Sequence, residues 1–100
     1  LRMRGWQILE RNFRCRGGEI DIIALAGDVL AFVEVKARAQ VDEAVDAVSG
    51  RSRRRIAMAA SIWLSRHPET ADCSWRFDIV AVAPWQLPVQ LEDAFPKPIA

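Results

Sequence analysis

A chain of 100 residues makes one small domain. It is 51% hydrophobic and 27% charged, which excludes the disordered class and leaves an ordinary globular composition. The net charge of +1 excludes a protein that holds nucleic acid by bulk charge, so such a reading must rest on where the charges lie. No apolar run approaches the ~20 residues a membrane helix needs, and no signal-peptide pattern opens the chain. Cys15 and Cys73 lack metal-ligand spacing and read as free thiols in a reducing compartment. The expectation is a cytoplasmic protein with no membrane partner.

The chain begins at Leu1 without an initiator Met, as a fragment would. Trp6 to Cys15 places Ile8, Leu9 and Phe13 among polar residues and reads as a strand feeding a Gly17-Gly18 turn. Its arginines, Arg11, Arg14 and Arg16, fall on a rim, either as protective charge on a sheet edge or as phosphate contacts.

Gly17 to Arg38 reads as a β-hairpin, with two runs rich in Ile, Val, Leu and Phe flanking the turn signal Gly27-Asp28. Four charged residues interrupt it: Glu19 and Asp21 on the first strand, Glu34 and Lys36 on the second. Alternation puts each pair on one face. A turn centred on Gly27-Asp28 opposes residues whose numbers sum to 55, which sets Asp21 against Glu34 and Glu19 against Lys36. Two carboxylates opposed across a ladder repel. A divalent cation between them removes the repulsion, so this end of the hairpin reads as a Mg²⁺-dependent phosphodiester-cleaving site.

Ala39 to Val48 reads as a connection with room for a short helical turn. Ser49 is a good N-cap for a helix from Gly50 to about Arg66. The stripe Ile56, Ala59, Ala60, Trp63 and Leu64 has the spacing of a face that packs on a sheet, and His67-Pro68 ends the helix, with His67 as a cap. Arg51, Arg53, Arg54 and Arg55 crowd the first two turns, where the helix dipole disfavours cations. Phosphate binding is the natural compensation, with a solvated basic face facing Asp42 or Asp46 as the plainer account. Trp75 to Ala83 is a further strand, on which Arg76 and Asp78 share a face and pair structurally. Residues 84–100 form a proline-rich tail in which Leu91 to Phe95 docks and the last residues fray. The four tryptophans read as core, with one or two available to an interface.

Asp21, twelve residues, then Glu34-Val35-Lys36 resembles the signature of the PD-(D/E)XK nuclease superfamily. The words around it, GGEIDIIA, AFVEVKAR, the arginine-rich helix start, WRFDIVAV and EDAF, resemble the YraN-like family of bacterial predicted endonucleases, which is similar to archaeal Holliday-junction resolvases. The resemblance spans Trp6 to Phe95. It implies an α/β fold, restriction-endonuclease-like, with a mixed central β-sheet flanked by helices. It implies that Asp21 and Glu34 bind Mg²⁺ or Mn²⁺, that the Val35 carbonyl completes the metal shell, and that Glu19 assists or holds a second ion. Lys36 would steady the attacking water or the transition-state charge. Family members carry an amino-terminal helix with a Glu ahead of Trp6, lacking here, and a lysine early in the second helix where this chain has Ser52.

The resulting expectation is a metal-dependent endonuclease acting on DNA, with branched or junction DNA among the candidates and selectivity for shape. Arg38, Arg51, Arg53, Arg54 and Arg55 are the expected nucleic-acid contacts, and the resolvase likeness makes a homodimer a candidate assembly. Two alternatives stand beside it. One is a non-catalytic, structure-selective nucleic-acid-binding module. The other is a purely structural protein in which Glu19 and Lys36 form a cross-strand ion pair.

Overall fold

The structure is a computed structural model that describes residues 3–97. The expected fraying of the last three residues lies outside that range. Five strands form one mixed sheet in sequence order: β1 (Gln7–Cys15), β2 (Gly18–Ala26), β3 (Val29–Ala37), β4 (Ser74–Val82) and β5 (Val89–Phe95). Neighbours are antiparallel except β3 and β4, which run parallel from Val29↔Ser74 to Ala37↔Val82. A parallel pair needs a crossover. Here it holds α1 (Glu43–Asp46), α2 (Gly50–Arg66) and a short 3-10 turn, Pro68–Thr70. The expected α/β fold, a mixed sheet with helices, is what the chain adopts, and it is compatible with a restriction-endonuclease-like fold.

The sheet buries both faces. One holds Ile20, Ile23, Phe32, Phe77 and Ile79 and packs against Ala44 of α1, Val48 of the link that follows it and the α2 stripe. Of that stripe Ile56, Ala59, Ala60 and Trp63 are buried, as the helical spacing requires. The other face holds Ile22, Ala24, Ala31, Val33 and Val80, with Met3 against them. Phe32 meets Trp63 and Trp75 edge-on, at centroid distances of 5.9 and 5.8 Å. Trp85 alone among the tryptophans stands clear of the protein.

The ends of α2 follow the expected chemistry. The Ser52 N–H donates to Ser49 Oγ at 3.1 Å. At the other end His67 Nδ1 donates to the Trp63 carbonyl at 2.7 Å, and its ring stacks on Trp63. Gly18 fixes where α2 crosses β2: a Cβ there would lie 2.0 Å from the Arg55 carbonyl oxygen. Only glycine lets the helix backbone come this close.

Two features depart from simple alternation. The tail holds a full strand, β5, whose register on β4 shifts between Phe77 and Ile79. Asp93, at φ 49°, makes the shift. The second departure lies in β1 and β2. Ile20 packs on the helix side of the sheet, whereas Ile22 packs on the opposite side, so the pleat resets around Asp21. Its neighbour on β1, Asn12, has φ 54° and lies between the pairs Arg11↔Ile22 and Phe13↔Ile20. Glu19 and Asp21 therefore do not share a face as strict alternation expects.

Opposite that shift in β5, Asp78 is fully buried and fully bonded. Arg76 Nε and Nη2 donate to its two oxygens at 3.0 and 3.3 Å, Gln90 Nε2 at 2.8 Å and the Asp93 N–H at 2.9 Å. The Arg76–Asp78 pair has the structural role expected of it, tying the irregular β5 to β4.

Candidate active site

The hairpin β2–β3 adopts the expected register, from Ala26↔Val29 to Ile22↔Val33. Pairing then gives way to side chains. The Val35 N–H donates to Asp21 Oδ2 at 2.8 Å, so a carboxylate takes the place of a ladder acceptor. The Asp21 carboxyl is also close enough to act directly on the Glu34 carboxyl. The two acids thus meet at the step where the pleat resets and the ladder opens.

Burial is the largest influence on Glu34. With the hydrogen bond and negative charge of Asp21, and a smaller push from Glu19, it raises the Glu34 carboxyl from 4.5 to about 8. The Lys36 ammonium opposes this, which places it in the same electrostatic neighbourhood. Burial and the neighbouring Asp21 carboxylate both favour the protonated form of Glu34, and a proton there relieves the repulsion between the two acids.

Glu19 lies to one side. It is half-exposed and forms an ion pair with Arg14 of β1 at 3.6 Å, its partner in the β1–β2 register. Among the described residues no group of three or more His, Cys, Asp and Glu is set to hold a metal ion. Hard oxygen donors are present nevertheless: two carboxylates and the Val35 carbonyl. Mg²⁺ is commonly held by one or two carboxylates, with waters and substrate phosphate filling its shell. The donor set fits such an ion.

Residues 1–82 match the family model described as "Uncharacterised protein family UPF0102". The chain belongs to UPF0102. It is 53% identical over 95 residues to a UPF0102 protein of Mesorhizobium japonicum, covering 95% of this chain and 76% of that one. It is 52% identical over 88 residues to one from Methylocella silvestris, covering 88% and 71%. A third, from Paramagnetospirillum magneticum, is 46% identical over 99 residues, with 95% and 77% covered. Membership in this YraN-like family, expected from the words around the hairpin, is thereby established.

The arginines of this UPF0102 chain separate by environment. Arg51, Arg54 and Arg55 are exposed on the first turns of α2. Arg53 turns inward: Nε donates to the Val48 carbonyl at 3.1 Å and its guanidinium lies 5.0 Å from the Phe95 ring centre. Arg38 is exposed beside the end of β4, where its N–H donates to the Val82 carbonyl at 3.0 Å. A cleft of about 560 Å³ opens between α2 and the chain's far end, lined by Arg54, Met58, Phe77 and Lys97, and none of the acids reaches it. No helix of the described residues is long and apolar enough to cross a membrane.

Sequence reasoning missed Asn12 and the pairing of the rim residue Arg14 with Glu19. Asn12 sits at the reset opposite Asp21, and Arg14 takes Glu19 away from the acid pair. Asn tolerates positive φ better than most residues, which was the one available signal for the first.

Proposed function

We propose that this UPF0102 chain is a Mg²⁺- or Mn²⁺-dependent nuclease of the PD-(D/E)XK type that hydrolyses phosphodiester bonds in DNA. One observation carries the reading: Asp21 takes the Val35 N–H at the open end of a ladder beside Glu34, and both Asp21 and Lys36 act on the Glu34 carboxyl. A half-buried pair of acids is a cost to folding, and such costs concentrate at functional sites.

Asp21, Glu34 and the Val35 carbonyl would hold the cation. When bound, that ion supplies a Lewis acid for the phosphate and an activated water. The protein's own residues do the rest. The Val35 N–H fixes the Asp21 carboxylate through Oδ2, so one ligand is oriented before anything binds. Glu34 must surrender its proton to become a ligand, and the positive charge of Lys36 favours that loss. Lys36 then stands beside the reacting phosphate to balance the charge that develops in the transition state. Arg38, Arg51, Arg54 and Arg55 are exposed and free of acidic ion-pair partners within 4 Å among the described residues, which suits the phosphates of a backbone. Glu19 serves through Arg14 as a support at the rim.

The test is cleavage of linear and branched DNA with Mg²⁺, with Mn²⁺ and with chelator. The wild-type chain cuts only with metal, and Asp21→Ala, Glu34→Ala and Lys36→Ala each lower the rate by roughly 100-fold or more. Cutting that survives Asp21→Ala or Lys36→Ala sinks the assignment. Binding of DNA without metal-dependent cutting replaces it with the non-catalytic module.

A further inference from the structure

We propose that the β4–β5 loop is a stacking wedge that takes an unpaired base next to the duplex being cut, with Trp85 as the stacking ring. The inference rests on the nuclease reading and adds the class of substrate: DNA with an unstacked or single-stranded nucleotide at a fork, junction or end.

Trp85 has 102% of its reference surface exposed, and Leu87 next to it 87%. Among the described residues nothing covers these large apolar side chains. Trp85 also adopts φ 63°, a left-handed conformation that a bulky residue rarely takes. An observed outlier of this kind points to function. Pro84 and Pro88 bracket the ring and limit the loop's freedom, so little entropy is lost when it engages a ligand.

The surroundings select the partner. Residues 83–91 contain no acid. One depression is shared by Arg38, Val82, Ala83 and Pro84, and a second by Arg4, Leu87, Pro88 and Gln90. The loop that carries the exposed ring therefore borders two depressions that each include an arginine, which suits a base with its flanking phosphates, since every base offers a π-face and stacking tolerates any sequence. The loop is also continuous with the acid site. It follows the end of β4, against which the Lys36 and Arg38 end of β3 is hydrogen-bonded. Glu34 is the register partner of Ile79, six residues before Trp85. At ~3.3 Å per residue the wedge lies within about 20 Å of Ile79, and Glu34 is one strand spacing of ~4.8 Å across from it, so the wedge is at most about 25 Å from the Glu34 backbone, roughly seven nucleotide steps of ~3.4 Å.

The experiment measures binding, in chelator, to a blunt duplex and to a forked duplex of the same length, followed by cleavage mapping in Mg²⁺. Trp85→Ala should weaken binding to the fork by roughly ten-fold or more and to the blunt duplex by less than about two-fold, while Trp85→Phe restores most of the loss. Cuts should fall within about seven nucleotides of the unpaired base. Equal losses on both DNAs, or none on the fork, overturn the wedge. So does Trp85-dependent sedimentation with anionic phosphatidylserine vesicles, or a dimer that Trp85→Ala turns into a monomer, with binding to the fork unchanged. Wild-type protein that binds the fork through Trp85 but never cuts overturns the nuclease reading and leaves the stacking surface standing. Wild-type protein that binds neither DNA overturns both.

Discussion

Replacing Asp78 by alanine should cost about 3 kcal/mol of folding stability. The carboxylate is fully buried and accepts four hydrogen bonds, two from Arg76, one from Gln90 and one from the Asp93 backbone. A hydrogen bond to a charged group contributes ~1.5–3 kcal/mol net, and breaking a buried pair by removing one partner costs ~3–5 kcal/mol. The lower end applies here. Arg76 is partly exposed, has Glu92 at 3.4 Å and lies over the Trp6 ring, so it is not stranded when Asp78 goes. Arg76→Ala strands the buried carboxylate instead and should cost at least as much, whereas Gln90→Ala should cost about 1 kcal/mol. For a domain with ~5–15 kcal/mol in hand, 3 kcal/mol lowers the melting temperature by roughly 12–24 °C. Thermal and urea melts followed by circular dichroism read all three variants. A loss below about 1 kcal/mol for Asp78→Ala, or a larger loss for Gln90→Ala than for Arg76→Ala, refutes the view that this carboxylate clamps the irregular β5 to the sheet.

The Glu34 carboxyl is raised from 4.5 to about 8, so the folded state keeps a proton that the unfolded state releases. Stability from this group is complete below about pH 4.5 and is lost as pH rises through about 8. Urea melts across that range should show the decline, Glu34→Gln should flatten it, and an unchanged slope in Glu34→Gln would assign it elsewhere. Gly18→Ala should destabilise by roughly 2 kcal/mol or more, because the new Cβ would lie 2.0 Å from the Arg55 carbonyl and α2 must retreat. Urea melts decide this, and a neutral result means the helix does not rest on β2 there.

How much of the fold is legible in the sequence depends on whether each element announces its own boundary. Ser49 and His67-Pro68 bracket α2, and it runs over the expected residues, Gly50–Arg66. The Gly27-Asp28 turn sets the hairpin register, and Asp21 and Glu34 lie just beyond its last pair, Ile22↔Val33. The fourth strand lies one residue earlier than its apolar pattern suggests, starting at Ser74. β5 reads only as a docking segment because Glu92 and Asp93 break its alternation, and the left-handed Asp93 that permits this is a backbone property no period reports. The same holds at Asn12 and Asp21. A pleat that resets in two paired strands at once leaves each strand's apolar pattern ambiguous, so alternation assigns Glu19 to the wrong face. Its ion pair with Arg14 depends on the β1–β2 register, which a tight Arg16-Gly17 turn sets.

The parallel pairing of β3 with β4 also bears on the order in which the fold assembles. The hairpin closes locally, across a two-residue turn, and such hairpins form in about 1–10 μs. β4 can join only after the whole crossover from Ala37 to Ser74 has been gathered in, a non-local and slower event. Asp21 and Glu34 therefore meet while still in water, where their repulsion is weak, and the burial that makes Glu34 hold its proton comes afterwards. The electrostatic penalty of the acid pair falls late, on the docking of helices and β4, and not on hairpin nucleation. Folding and unfolding rates of Leu25→Ala and Phe77→Ala read this order directly, with the first slowing folding and the second speeding unfolding.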